Sequence, residues 1–224
     1  MKWVVSILFV VGATGAFAQG AFQDLDFEAA NVIPISGQPG FVTTANALPG
    51  WTVTYDSVVQ PEITYNSLSL GGTAAILVAD GYPDFGEEGL SPLDGNFSLL
   101  LFASDHSLTI SQTGQIPASS EALLFTWGGT TPAISVGGDS LTVYPVQTLP
   151  NGEILGVSIS PWAGQTESLS FTLPKGSDTY AELDDISFSP NAITVTPEPS
   201  PFLLTGIGGL AFGVYRRIQA WRKC

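Results

Sequence analysis

The chain has a single cysteine, and it is the last residue, Cys224. That excludes an intramolecular disulfide and leaves no thiolate metal site for the body of the protein. Basic side chains are nearly as scarce, six against twenty acids, and four of the six, Arg216, Arg217, Arg222 and Lys223, crowd the C-terminus. Between Gln19 and Thr196 nineteen Asp and Glu face one cation, Lys175, for a formal charge near −18. A polyanion of this kind repels nucleic acid and anionic lipid, so neither is an expected partner of this stretch. Divalent cations are the natural counter-charge, and stability must come from packing, with or without a metal.

Catalytic signatures are also missing. His106 is the sole histidine, flanked by Ser104, Asp105 and Ser107. Neighbours along an extended chain alternate faces, so this cluster forms no triad by itself and reads as a turn between Phe102 and Leu108. There is no glycine-rich phosphate loop, zinc motif or nucleophile elbow, and so many acids nominate no particular pair for glycoside hydrolysis. An enzyme is not expected.

What is present is almost all β patterning. Glu167 to Leu173 alternates Leu169, Phe171 and Leu173 with Ser168, Ser170 and Thr172, and Ser107 to Gln112 repeats the alternation with Leu108 and Ile110. Such alternation marks half-buried strands. Ala74 to Ala79 and Phe97 to Phe102 are continuous apolar runs suited to strands covered on both faces. Turn chemistry separates the runs at Leu48-Pro49-Gly50, Gly71-Gly72, Gly81 to Asp84, Leu93 to Asn96, Gly128-Gly129, Gly137 to Asp139 and Asn151-Gly152. Many short strands at this spacing predict an all-β sandwich or jelly roll over residues 19–190, with a loop from Pro83 to Pro92.

The two ends read as targeting segments. Met1-Lys2-Trp3 leads into an apolar stretch, and Ala16 and Ala18 occupy the −3 and −1 positions of a signal-peptidase site before Gln19. Residues 191–201 form a linker in which Pro197, Glu198, Pro199 and Pro201 hold the backbone extended. Phe202 to Tyr215 is then apolar except for Thr205. Fourteen helical residues reach about 21 Å, short of the ~30 Å hydrocarbon core. The span therefore has to borrow length from Ser200 and Pro201 and from snorkelling Arg216 and Arg217. The basic cluster keeps the end of residues 202–224 cytoplasmic.

That order resembles the C-terminal sorting signal of PEP-CTERM proteins. The resemblance implies export, brief tethering in the inner membrane, processing near Pro197-Glu198-Pro199 by an exosortase-type enzyme, and release to the outer surface or an extracellular polysaccharide matrix. A second resemblance covers the body. Phe27-Glu28, Leu48-Pro49-Gly50-Trp51, Leu93 to Asn96, Ala163 to Thr166 before Leu169-Ser170-Phe171, and Leu183 to Phe188 are similar in order and spacing to galactose-binding-like jelly rolls. That family implies first and last strands lying together, often sharing a structural calcium, and a sugar site on the concave face or the end loops.

Two sets of candidate residues follow. Glu28 with Asp184 or Asp185 would supply hard oxygens for Ca²⁺. In an extended strand Asp24, Asp26 and Glu28 share one face, while Asp184 shares a face with Ile186 and Phe188, where only Lys175 offers a charged partner. The alternative is that Asp184 and Asp185 cap the strand edge in solvent or accept backbone N–H bonds. For carbohydrate, the aromatics are Trp162, Tyr144 and Tyr82, because Trp51 and Trp127 read as core. The expected role is a non-enzymatic surface or matrix protein associated with polysaccharide, with a specific carbohydrate-binding adhesin as the alternative.

Overall fold

Among the described residues, alternation and apolar runs become fifteen strands. In chain order they are β1 (Pro34–Ile35), β2 (Gln38–Thr43), β3 (Thr52–Tyr55), β4 (Val58–Val59), β5 (Glu62–Tyr65), β6 (Ala74–Ala79), β7 (Phe97–Phe102) and β8 (Leu108–Gln115). Then come β9 (Ala122–Gly129), β10 (Ala133–Val136), β11 (Asp139–Leu141), β12 (Tyr144–Leu149), β13 (Gly152–Ser158), β14 (Thr166–Leu173) and β15 (Tyr180–Ser189). The structure, a computed structural model, describes residues 20–67, 72–80, 91–176 and 180–193. The signal-peptidase residues Ala16, Ala18 and Gln19, Tyr82, most of the Pro83–Pro92 loop and everything from Thr194 to Cys224 lie outside the described residues. Among the described residues no helix is long and apolar enough to cross a membrane.

The strands form two sheets. The larger runs β1-β2-β5-β6-β7-β15-β9-β13-β12 and the smaller β11-β10-β14-β8-β3-β4. All named strand pairs are antiparallel except β5 with β6. The last strand, β15, thus lies in the middle of the larger sheet, between β7 and β9. The N-terminal segment runs beside it: Ile186 donates its N–H to Leu25 O at 2.9 Å, and the Phe22 and Phe188 rings meet at 5.2 Å.

Side chains of both sheets share one core. Leu77, Leu99, Phe125 and Leu183 come from the larger sheet, and Val53, Ile110, Leu169 and Phe171 from the smaller. A chain of ring contacts crosses it, from Phe27 to Trp51 at 6.0 Å, Trp51 to Phe171 at 6.4 Å, Phe171 to Phe125 at 5.2 Å and Phe125 to Trp127 at 6.1 Å. Strands β6 and β7 match their apolar runs and are buried on both sides. Ala75, Leu77, Leu99 and Leu101 face the main core, while Ala74, Ile76, Val78 and Leu100 form a second buried cluster on the opposite face.

One expected turn is not a turn. Gly128 and Gly129 end β9, paired with Glu182 and Ala181 of β15. Gly129 has φ +90°, and a Cβ there would collide with Tyr180 O, so the glycine serves close strand approach rather than reversal.

Phe171→Ala removes the ring that touches both Trp51 and Phe125, and its expected cost is about 3–5 kcal/mol. At ~2–4 °C per kcal/mol for a domain of this size, circular-dichroism melts should show a fall of roughly 6–20 °C. The exposed edge change Val146→Ala should stay within ~0.5 kcal/mol of the parent.

Candidate functional site

Asp24 to Glu28, expected as an extended strand, form a coil instead, with no strand assigned between the isolated Ala21 bridge and Pro34. Asp24 at φ 48° and Phe27 at φ 57° turn the backbone. The cause is packing. Trp51 donates its indole N–H to Asp24 O at 2.9 Å, and Phe27 is driven wholly into the core. The turn places Asp26 and Glu28 on either side of a buried ring, so the acids still gather, by a different backbone route.

Glu28 grips the loop before β7. Its Oε1 accepts the N–H groups of Asn96 at 2.6 Å and Phe97 at 2.9 Å, and its Oε2 accepts the Asn96 side-chain amide at 2.7 Å. Burial acts to raise this carboxyl, but the three bonds together hold it below its usual range. Gly95, at φ +59°, sits so close that a Cβ would collide with the Glu28 carboxylate. Glu28 therefore acts here as a clamp on the Asp94–Phe97 turn.

β15 carries a bulge that the sequence pattern does not announce. Its pairing with β9 slips between Asp184 and Ser187, and Asp185 has φ 49°. Leu183 and Ile186, three apart, both reach the main core. Asp184 consequently lies on the face of Glu182 rather than that of Ile186, contrary to simple alternation. It is nonetheless buried, and its partners are the N–H groups of Asp94 at 3.1 Å and Asp185 at 2.8 Å, not Lys175. Burial pushes this carboxyl up to about 8 against those two bonds, with Asp185 and Asp94 adding to the rise. Asp185 is raised as well, first by burial and then by Asp94, Asp26 and Glu28.

Asp24, Asp26 and Asp185 line a cavity of about 560 Å³ together with Phe22, Leu25, Ile186 and Ser187. Asp24 Oδ1 accepts the Ala29 N–H at 2.8 Å, whereas its Oδ2 is buried without a partner. Burial, then Asp26 and Glu28, carry the Asp24 carboxyl up to about 6 despite the Ala29 bond. Among the described residues no group of three or more His, Cys, Asp and Glu side chains is assembled to hold a metal ion. Of the three residues nominated from sequence, only Asp185 lines this cavity. Asp24 and Asp26 were visible as alternating acids but were read as one face of a strand.

The aromatic candidates do not gather. Trp162 ends a 3-10 turn, Ser160–Trp162, and is half-buried against the core beside Gly137. Tyr144 opens the edge strand β12. Trp51 and Trp127 are core residues, and the Trp127 indole donates to Thr130 O at 2.8 Å.

His106 does lie between β7 and β8, in a network that local sequence conceals. Its Nδ1 is 2.7 Å from Asp56 Oδ2 and its Nε2 3.5 Å from Asp105 Oδ2. Asp56 Oδ1 accepts both the N–H and the hydroxyl of Ser107, and Asp105 Oδ1 accepts both the N–H and the hydroxyl of Thr73. Both ring nitrogens face carboxylates, an arrangement that braces three loops and leaves neither nitrogen for a serine nucleophile. Asp56, fifty residues away in the β3–β4 turn, is the partner that sequence reading missed.

Neither protein-family models nor the curated proteins give a match to this chain. Among solved structures, the chain is similar to TmCBM61, determined in complex with β-1,4-galactotriose, at 11% identity and TM-score 0.36, covering 76% of this chain and 98% of that one. It is also similar to the enzymatically active domain of bacteriophage CBA120 tailspike protein 4, at 10% identity and TM-score 0.34, over 63% of this chain and 19% of that one. Likeness at this level carries no ligand across.

One buried acid stands apart from these clusters. Glu182, on the outer face of the larger sheet, accepts the hydroxyl of Ser98, and burial outweighs that bond to raise its carboxyl. A raised carboxyl holds its proton in the folded chain where the unfolded chain has already lost it, so stability declines as pH rises above the ordinary value of 4.5. Glu182→Gln removes that penalty. Melting temperatures should rise by a few degrees at pH 7 to 8 and barely change at pH 4, and an equal shift at both pH values would contradict the assignment.

Proposed function

We propose that this chain is an exported bacterial surface or extracellular-matrix protein. Its body is a non-enzymatic, galactose-binding-like jelly roll associated with extracellular polysaccharide, and its tail is a sorting signal processed by an exosortase-type enzyme. The observation that carries the reading is the order of the sequence: a leader ending at Ala18, one all-β body, Pro197-Glu198-Pro199, an apolar run and a basic cluster. Several features of the body support it. The last strand is central, and the N-terminal coil lies beside it in the place where the second resemblance implies a first strand, while β1 itself sits at the far edge of that sheet. His106 has both ring nitrogens turned to aspartates, an arrangement suited to bracing rather than to acyl transfer. The excess of acid over base suits life among neutral polymers better than contact with anionic ones.

Calcium belongs to the same proposal with a changed set of ligands. Glu28 and Asp184 are occupied by backbone and amide N–H groups, so Asp24, Asp26 and Asp185, which line one cavity but are not drawn together as a metal-holding group, are the carboxylates that would have to close around the ion. The buried, unpartnered Asp24 Oδ2 and the mutual repulsion of these acids fit a cation of oxygen preference. Bound there, Ca²⁺ would offset that repulsion and join the N-terminal coil to β15.

Two measurements test these points. Mass spectrometry of protein from membranes and culture fluid should find the intact C-terminus only in the membrane fraction, and only there when the processing enzyme is deleted. Peptides spanning Pro197 to Lys223 in released protein would rule out cleavage. Separately, chelator should lower the melting temperature of the purified protein and added Ca²⁺ should restore it, with Asp24→Asn abolishing the response. A melting temperature indifferent to chelator would remove calcium from the proposal.

A further inference from the structure

The edge of the sandwich where β5 and β6 part opens into a groove of about 320 Å³, lined among others by Phe41, Tyr55, Gln60, Glu62, Thr64 and Thr73. The register explains the opening. β5 and β6 pair only at Thr64–Ile76 and Tyr65–Leu77, and ahead of those residues the two strands arrive from different places. β5 comes from the smaller sheet through Gln60 and Pro61, and β6 from Thr73. Tyr55, at the end of β3, reaches across from the smaller sheet and accepts the Ala75 N–H on its hydroxyl at 3.0 Å. The opposite wall is fixed by Asp105, which holds the N–H of Thr73 at 2.8 Å and its hydroxyl at 3.0 Å.

We propose that this groove binds a neutral oligosaccharide, an inference that rests on the polysaccharide association above and gives it a site. The inner residues of the β2–β5 pair, Val42 and Ile63, belong to the core, so Phe41, Thr43, Glu62 and Thr64 take the opposite face of the pair, where Thr64 is itself buried and donates its hydroxyl to Ala75 O at 3.2 Å. Phe41 is 37% exposed and lines the groove, which puts aromatic surface, of the kind on which the C–H face of a pyranose stacks, within reach of a ligand. Around it stand groups matched to sugar hydroxyls. The Tyr55 hydroxyl accepts from Ala75 and has its own proton to give, the Glu62 carboxylate accepts, and the Gln60 side-chain carbonyl accepts while its amide is held on Val58 O at 2.9 Å. The lining mixes apolar residues with convergent polar groups, and its volume is at the small end of the ~300–1,000 Å³ range of small-ligand sites.

Charge selects the class of ligand. The lining has one carboxylate and no cation, within a body of charge near −18, so an anionic polymer is repelled, as is a second copy of the chain. Exposed hydrophobic residues accompany this charge: Phe41 is in the lining, and Val58 and Val59 form β4, the strand that leads directly into Gln60 and Pro61 of the groove. A polymer of neutral sugars, with alternating C–H faces and hydroxyls, meets both features.

The test uses the full chain in detergent, titrated calorimetrically with neutral gluco-, galacto- and manno-oligosaccharides and with polysaccharide from the producing culture. Saturable binding is expected, weakened at least tenfold by Phe41→Ala and several-fold by Glu62→Gln. Val146→Ala, on the far edge strand β12, should bind as the parent does. Phe41 and Glu62 are surface positions, and an unchanged melting temperature will show that both variants fold. If parent and groove variants bind equally, the groove is the wrong site while polysaccharide association stands. If the parent binds none of these glycans, both readings fall. Self-association or protein capture that Phe41→Ala abolishes, without any sugar binding, would assign the groove to a protein and overturn the proposal.

Discussion

The structure depends on Trp51. No disulfide ties the N-terminal coil down, and at the centre of the contacts that do so is one indole, which packs between Phe27 and Phe171 and donates its N–H to Asp24 O. Each contact settles something elsewhere. The ring contact with Phe171 reaches the smaller sheet, and Phe171 in turn touches Phe125 of the larger sheet. The contact with Phe27 draws that ring inward, which turns Asp26 and Glu28 outward on either side of it. Glu28 then meets the Asp94–Phe97 turn, which only glycine at position 95 allows to come so close. The acidic cluster is thus a consequence of core packing, reached through a coil with two residues at positive φ rather than through a strand.

The bulge in β15 is the second constraint. A regular strand would have pointed Asp184 into the same core as Ile186, at a cost no single lysine offsets. One slipped pair changes the parity of the strand, so that Leu183 and Ile186 both face inward and Asp184 faces outward. The carboxyl still ends in a buried place, where two backbone N–H groups take the part that a cation side chain would play. Asp184 and Glu28 are accommodated by N–H groups, and Glu182 by a hydroxyl, where a more basic chain would use side-chain cations.

Much of this was legible in advance. Strands β6, β7 and β14 followed from apolar runs and alternation, and Trp51 and Trp127 read correctly as core, because period and local composition encode which face is buried. The failures share a cause. Asp24 to Glu28 has the alternation of a strand, but two positive-φ residues leave no trace in a hydrophobicity pattern. The β15 bulge is likewise invisible in Leu183 to Phe188, where simple period-two counting places Asp184 on the wrong face. Gly128-Gly129 has turn composition yet serves close strand approach, and Asp56 meets His106 only because the smaller sheet brings the β3–β4 turn to the β7–β8 loop. Contacts fixed by tertiary approach, not by local propensity, were the ones that sequence could not supply.

The apolar edge poses a question of solubility. An exposed edge strand bearing Val58 and Val59, 64% and 60% exposed, is a template for pairing with another chain, and edges of this type are usually guarded by lysine or proline. Lysine is all but absent here. Two features compensate: β4 is only two residues long, entered through Asp56 and Ser57 at positive φ, and every copy of the body carries the same large negative charge. Mutual repulsion of whole molecules then does the work that local gatekeepers do in other sheets. It is also selective, since it opposes self-association and anionic polymers while leaving an uncharged chain free to approach. A strongly acidic body therefore lets a partly apolar groove stay open, as the proposed site for a neutral ligand, without becoming an aggregation site.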